Sequence, residues 1–184
     1  MNYLLRHSID DNTRKGGWSN AKLTIEGIQL AHNIIKDIKQ YHITKIICSD
    51  LERAKETCEI INKELQLPVV YSDLLREFNA GITSGMTYDQ IEKEYPTSYE
   101  DYMNKDFKYP DGETLGNFQN RIIQYYNTYV KMTDNTLFIT HRNVISVIYN
   151  YINNTEWNFL DKTTIKIPHC SMFEVNKNTI ERIL

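Results

Sequence analysis

Cysteine, proline and glycine are all scarce in this chain, which holds three, four and seven of them in 184 residues. Cys48, Cys58 and Cys170 are odd in number, show no Cys-x-x-Cys spacing and do not cluster with histidines. That excludes a disulfide framework and a structural zinc site, and points to reduced thiols. The chain has no internal repeat, low-complexity tract or flexible linker, so a single domain over residues 1–184 is expected, large enough to bury a core without staples. No window approaches about 18 uninterrupted apolar residues, and the first residues lack a basic segment followed by an apolar run. No membrane partner is expected, and the location expected is cytoplasmic. Charge of one sign is missing too: 21 basic against 24 acidic side chains leave a formal charge of -3. Such a balance offers no global field for nucleic acid or an anionic membrane surface, so any anion site must be local.

What the chain does have is short β-branched or apolar runs alternating with helical patterns, the pattern of βαβ units and a largely parallel sheet. Asn2 to Arg6 reads as the first strand. Thr24 is positioned to cap a helix whose apolar residues Ile25, Ile28, Leu30, Ala31, Ile34, Ile35 and Ile38 recur near every third or fourth position. Lys45 to Cys48 reads as the second strand, with Ser49-Asp50 capping a helix to about Leu65, and Val69 to Tyr71 as the third. Residues 79–111 weaken in pattern, with two glycines, Pro96, Pro110 and several tyrosines, and are expected to form a helical cap insertion facing the substrate. A helix over Glu113–Lys131, a strand over Leu137–Thr140, a helix after His141 and a terminal hairpin about Asn176-Lys177-Asn178 complete the reading. The expected fold is a three-layer αβα sandwich with a mostly parallel central sheet.

Two histidines stand at strand ends, His7 after Leu5-Arg6 and His141 after Thr140. In an open α/β sheet the ligand crevice lies beyond the carboxyl ends of the strands, so residues there converge however far apart they are in sequence. A phosphoryl group is best bound by guanidinium forks, imidazoles and backbone amides at helix starts. Arg6, Arg53 and His141 supply that set. An imidazole attacks phosphorus only when its nucleophilic nitrogen is unprotonated, and neighbouring guanidinium charges favour that state, which makes His7 the better nucleophile.

At these residues the chain resembles the histidine phosphatase superfamily, the phosphoglycerate mutase-like group. The matching pieces are Leu5-Arg6-His7, Leu23-Thr24-Ile25-Glu26-Gly27, Ser49-Asp50-Leu51-Glu52-Arg53-Ala54-Lys55-Glu56-Thr57, Leu75-Arg76-Glu77-Phe78-Asn79, Asp111-Gly112-Glu113-Thr114 and Thr140-His141. The resemblance implies that His7 becomes phosphohistidine, that Arg6, Arg53 and His141 stabilise the transferring group, and that Glu77 protonates the leaving oxygen and then activates water. A carboxyl beside a dianionic substrate is pushed toward its protonated form, which that role requires. Glu113 is the rival acid, or else a residue starting the long helix. An ion pair with Arg76 is the structural alternative for Glu77.

The chain departs from the family where glycine normally follows the first histidine and small residues follow the second; here stand Ser8 and Arg142-Asn143. Ser8 either crowds the phosphate or donates a hydroxyl to it, and Arg142 either reads a second anionic group or lies on the surface. Asn12 and Arg14 are further candidates for substrate contact, His169 either lines the pocket rim or packs, and the tyrosines at 88, 95, 99, 102 and 109 either form an aromatic wall or pack between helices. Lys105 and Lys108 are either substrate contacts or solvated residues. The function expected is hydrolysis of a small-molecule phosphomonoester through phosphohistidine, with no metal and no cofactor. The alternatives are mutase-type phosphoryl transfer, a non-catalytic phospho-ligand-binding domain and, disfavoured for want of a ligand cluster, a metal hydrolase using His7, His141 and His169. Substrate identity and oligomeric state are left open.

Overall fold

A computed structural model of the chain describes residues 1–160 and 165–184. The helices and strands are β1 (Asn2–Arg6), α1 (Ile25–Asn33), α2 (Ile35–Ile38), β2 (Lys45–Ser49), α3 (Glu52–Leu65), β3 (Val69–Ser72), α4 (Tyr88–Glu94), α5 (Tyr99–Met103), α6 (Leu115–Tyr125), β4 (Thr136–Thr140), α7 (Arg142–Ile152), β5 (Met172–Asn176) and β6 (Thr179–Arg182). One sheet runs in the order β3-β2-β4-β1-β5-β6. The first four strands are parallel, and β5 and β6 are antiparallel additions beside β1.

Successive residues of a strand point to opposite faces, and the central strands are apolar on both. Leu4, Phe138 and Phe173 enter one core with Phe118 and Ile122 of α6 and Val144, Ile145 and Ile148 of α7. Their neighbours Leu5, Ile139 and Met172 enter a second core with Ile35 and Ile38 of α2, and Ala54, Cys58 and Ile61 of α3. Helices therefore cover both faces, giving the three-layer αβα arrangement expected.

Three boundaries differ from expectation. The cap of α3 is Leu51, without a side-chain bond, because Ser49 ends β2 and Asp50 is engaged by Arg76 at 2.5 and 2.6 Å. The helix read as Glu113–Lys131 begins at Leu115, where the Thr114 hydroxyl accepts from the Asn117 amide, and after Tyr125 it widens into a π-turn over Tyr126–Val130. The helix after Thr24 breaks at Ile34 into α1 and α2, while Thr24 does cap it, accepting from the Gly27 amide. In the 79–111 segment, capping boxes Thr87/Gln90 and Ser98/Asp101 start α4 and α5. The Lys15 amide donates to Met86 O and the Gly85 amide to Lys15 O, tying that segment to the loop after β1.

Candidate active site

His7 follows the end of β1 and His141 the end of β4, and because these strands are parallel neighbours the two rings come within 5.0 Å, centroid to centroid. The His7 amide donates to Thr140 O at 2.9 Å, fixing one strand end to the other. His7 Nδ1 lies 2.7 Å from Ser8 O. A carbonyl only accepts, so Nδ1 carries the proton and Nε2 presents a lone pair. The Arg53 Nε–H donates to that Nε2 at 3.3 Å. Burial first, then the charge of Arg53, holds the His7 pKa well below its ordinary value, which keeps the ring neutral.

Arg53 is only 2 % exposed, although it carries a charge. Its guanidinium donates to Gly17 O at 2.9 Å and faces the Asp10 carboxylate at 3.5 Å. Arg6 donates to Ile167 O and to His169 Nε2, each at 2.7 Å, and burial foremost brings its pKa down to about 10. His169 reaches this position because β5 pairs with β1. The Cys170 amide donates to Arg6 O, and Cys170 itself takes a left-handed φ of +58° as the chain turns into the strand. His141 is fully buried, with Nε2 2.8 Å from Ser49 Oγ and Nδ1 without a partner among the described residues. Burial and the Arg53 charge lower its pKa as well.

The Glu77 carboxylate accepts from the amides of Phe78 at 2.8 Å and Asn143 at 3.2 Å. Asn143 is in the first turn of α7, so Glu77 satisfies an orphan helix-start donor. The ion pair with Arg76 considered from sequence does not form; Arg76 pairs with Asp50 and stacks on Trp18. Glu113 is held in a two-contact pair with Arg121 at 2.7 and 3.3 Å and accepts from the Asn79 amide. Arg121 also donates to the carbonyls of Leu74, Arg76 and Glu77, so this pair clasps the segment that carries Glu77.

A cavity of about 320 Å³ opens over these residues, lined by Arg6, His7, Arg53, Glu77 and His169. Asn12, Arg14 and Arg142 line it too, as does Tyr88 and, with it, Tyr102. The expectation for Ser8 is corrected: its hydroxyl donates to Gly27 O at 2.6 Å, its amide donates to Thr57, and it is not on the cavity wall. Glu113, Lys105, Lys108 and the His141 ring are not on that wall either. Asp10, Lys15 and Phe159 are, and sequence reading missed all three. The signal for Asp10 was its place three residues after His7; Lys15 and Phe159 carried none.

His7, Asp10 and His169 form a cluster whose donor atoms lie within 4.8 Å of one another, a trio different from the one weighed from sequence. It suits a metal ion poorly. The His7 and His169 nitrogens already accept from Arg53 and Arg6, and Asp10 faces Arg53, so a dication would sit against two guanidinium charges.

The sequence profile of the histidine phosphatase superfamily (branch 1) matches residues 2–181. The chain belongs to this superfamily. A 6-phosphofructo-2-kinase/fructose-2,6-bisphosphatase of Aquarana catesbeiana is 29% identical over 186 residues, 96% of this chain and 37% of that protein. "Probable phosphoglycerate mutase GpmB" of Escherichia coli O1:K1 is 30% identical over 125 residues, 65% of this chain and 58% of that one. The chain thus spans less than two thirds of either relative's length. The crystal structure of the alpha-ribazole phosphatase from Shigella flexneri superposes with a TM-score of 0.82 at 20% identity, covering 100% of this chain and 94% of that one. YhfR of Bacillus stearothermophilus does so at 0.83 and 24% identity, covering 100% and 95%. At these identities the superpositions establish the shared fold.

Proposed function

We propose that the protein hydrolyses small phosphomonoesters through a phosphohistidine on His7 Nε2, without a metal. The observation that carries this reading is the state of His7: Nδ1–H is committed to Ser8 O, and the Nε2 lone pair faces the cavity's phosphate-binding cations. That lone pair attacks phosphorus while the bond to the leaving oxygen breaks. Arg6 and Arg53 neutralise charge on the equatorial oxygens. Glu77, which shares the cavity wall with Asp10 and Asp11, donates a proton to the leaving oxygen. Water then attacks phosphorus, the P–N bond breaks back onto Nε2, and Glu77 takes the water proton. The His141 ring, tilted 56° to the His7 ring with centroids 5.0 Å apart and lying off the cavity wall, backs the nucleophile from within the fold and supports the site through His7. The 79–111 segment acts as a cap through Tyr88 and Tyr102. Support from the relatives lies in their names, among them a bisphosphatase and an alpha-ribazole phosphatase.

Rapid quenching during turnover of 4-nitrophenyl phosphate should trap an acid-labile, base-stable phosphoryl group on His7, and His7→Ala should lose at least about 10³-fold in kcat. A chelator should leave the rate unchanged. Glu77→Gln should spare the burst of 4-nitrophenol that accompanies phosphorylation of His7, since that leaving group needs no proton. It should slow the steady-state rate that follows, because breakdown of the phosphohistidine loses its base, and should lose on the order of 10²-fold or more in the phosphorylation step with an alkyl phosphate. Loss of activity on chelation would overturn the metal-free chemistry. Transfer of the trapped phosphoryl to an alcohol in preference to water would make the enzyme a mutase.

A further inference from the structure

Away from the phosphate-binding end, the cavity wall carries, among the described residues, a single lysine, Lys15, set among aromatic rings. Its Nζ lies 4.5 Å from the Tyr109 ring centroid and 5.9 Å from those of Tyr102 and Phe159, and it donates to the Tyr109 hydroxyl at 3.4 Å. Tyr102 and Phe159 are themselves stacked at 5.5 Å with an interplanar angle of 3°, and the Tyr102 and Tyr109 hydroxyls share a hydrogen bond. No carboxylate among the described residues comes within 4.0 Å of Nζ; Glu77 is the acidic side chain whose charge reaches it. Ring faces attract an ammonium through their quadrupole without neutralising it. Lys15 is therefore a half-buried cation held in place by uncharged groups, with donors remaining for a ligand.

From this placement we infer that Lys15 and its aromatic surround form a second anion subsite, so that the preferred substrate is a phosphomonoester bearing another anionic group, a carboxylate or a second phosphate, on a compact frame. The inference rests on the phosphomonoesterase reading and adds the substrate class. The phosphoryl end already has Arg6 and Arg53, so Lys15 is not required there. Burial lowers the Lys15 pKa, and an anion docking beside it acts the opposite way, favouring the charged form. The backbone bonds between Lys15 and residues 85–86 hold the subsite at a fixed place against the 79–111 segment, so it reads the substrate by position as well as by charge.

Calorimetry with non-hydrolysable ligands tests the subsite independently of turnover. Benzylphosphonate is compared with its para-carboxylate and para-phosphonate derivatives, on the full chain and on Lys15→Met and Lys15→Arg. The unmodified protein should bind one or both of the derivatives that carry a second anionic group about 10- to 100-fold more tightly than benzylphosphonate. Lys15→Met should reduce that preference to less than about threefold while leaving benzylphosphonate binding within about threefold, and Lys15→Arg should retain most of it. Preference for one derivative names carboxylate or phosphate as the group read. No preference in the unmodified protein, or equal weakening of all three ligands by Lys15→Met, overturns the inference. Turnover of phenyl phosphate through phosphohistidine alongside that result would leave the phosphatase reading standing; tight, Lys15-dependent binding without any turnover would overturn only the hydrolysis.

Discussion

At the scale of single residues, what most distinguishes this site is a carboxylate inside a pocket lined by guanidinium groups. Asp10 faces Arg53 at 3.5 Å and His169 at 3.7 Å, and its side chain is only 11% exposed. With the pocket empty, it is the counter-ion of a buried guanidinium. With a phosphoryl group bound, it adds negative charge where negative charge arrives, at short range and out of bulk water. Asp10→Asn keeps the shape and removes that charge. It should tighten competitive inhibition by inorganic phosphate about tenfold and lower the melting temperature, because Arg53 loses its partner. Inhibition measured at fixed pH checks the first effect and calorimetric melting the second; unchanged phosphate inhibition would refute the counter-ion account. The two candidate acids separate at the same scale. Glu77 lines the cavity and Glu113 is locked to Arg121, a distinction that no spacing in the sequence could draw.

At the scale of elements, the loop after β1 owes its shape to the start of α1. The Thr24 amide donates to Ile9 O, the Ser8 hydroxyl donates to Gly27 O, and a Cβ on Gly27 would fall 2.1 Å from Ile9 O. Glycine at 27 is thus required by contact between two backbones. Gly27→Ala should cost about 1–3 kcal/mol of stability and, by displacing Ser8 and its carbonyl, weaken the hold on His7 Nδ1. Urea unfolding and kcat measured on the same preparation should fall together; a stable variant of unchanged kcat would contradict the coupling. Ser8 in place of the family's usual glycine also finds its reason here, as a tie to α1 with no role on the cavity wall. Thr24 was legible as a cap because its chemistry is local. The cap of α3 was not, since Ser49 and Asp50 are engaged by His141 and Arg76 from distant segments.

At the scale of the whole molecule, two neutral imidazoles are buried where the strands end, and this links stability to pH. Burial foremost, and then Arg53, holds both the His7 and the His141 pKa well below the ordinary value. In the unfolded chain both return to about 6.5. Below that pH the unfolded chain takes up protons that the folded chain does not, so stability is full above about 6.5 and declines as pH falls toward the folded values. The slope should approach ~1.4 kcal/mol per pH unit for each ring. Urea midpoints at pH 7.5 and 5.5 should therefore differ, the lower pH giving the lower midpoint; an equal or higher midpoint at pH 5.5 would rule this out. Among the described residues no helix is long and apolar enough to cross a membrane.

The sequence by itself determined the layering, because apolar periods of two and of three to four decide which strand and helix faces are buried, and those patterns are local. It also placed His7 and His141 at strand ends, from which their convergence follows. Tertiary structure decided the rest of the site. His169 arrives through the antiparallel pairing of β5 with β1, Lys15 through backbone bonds to residues 85–86, and Phe159 through stacking on Tyr102. Each of these depends on contacts between segments far apart in the chain, whose side-chain directions are set only once the sheet and its helices have packed.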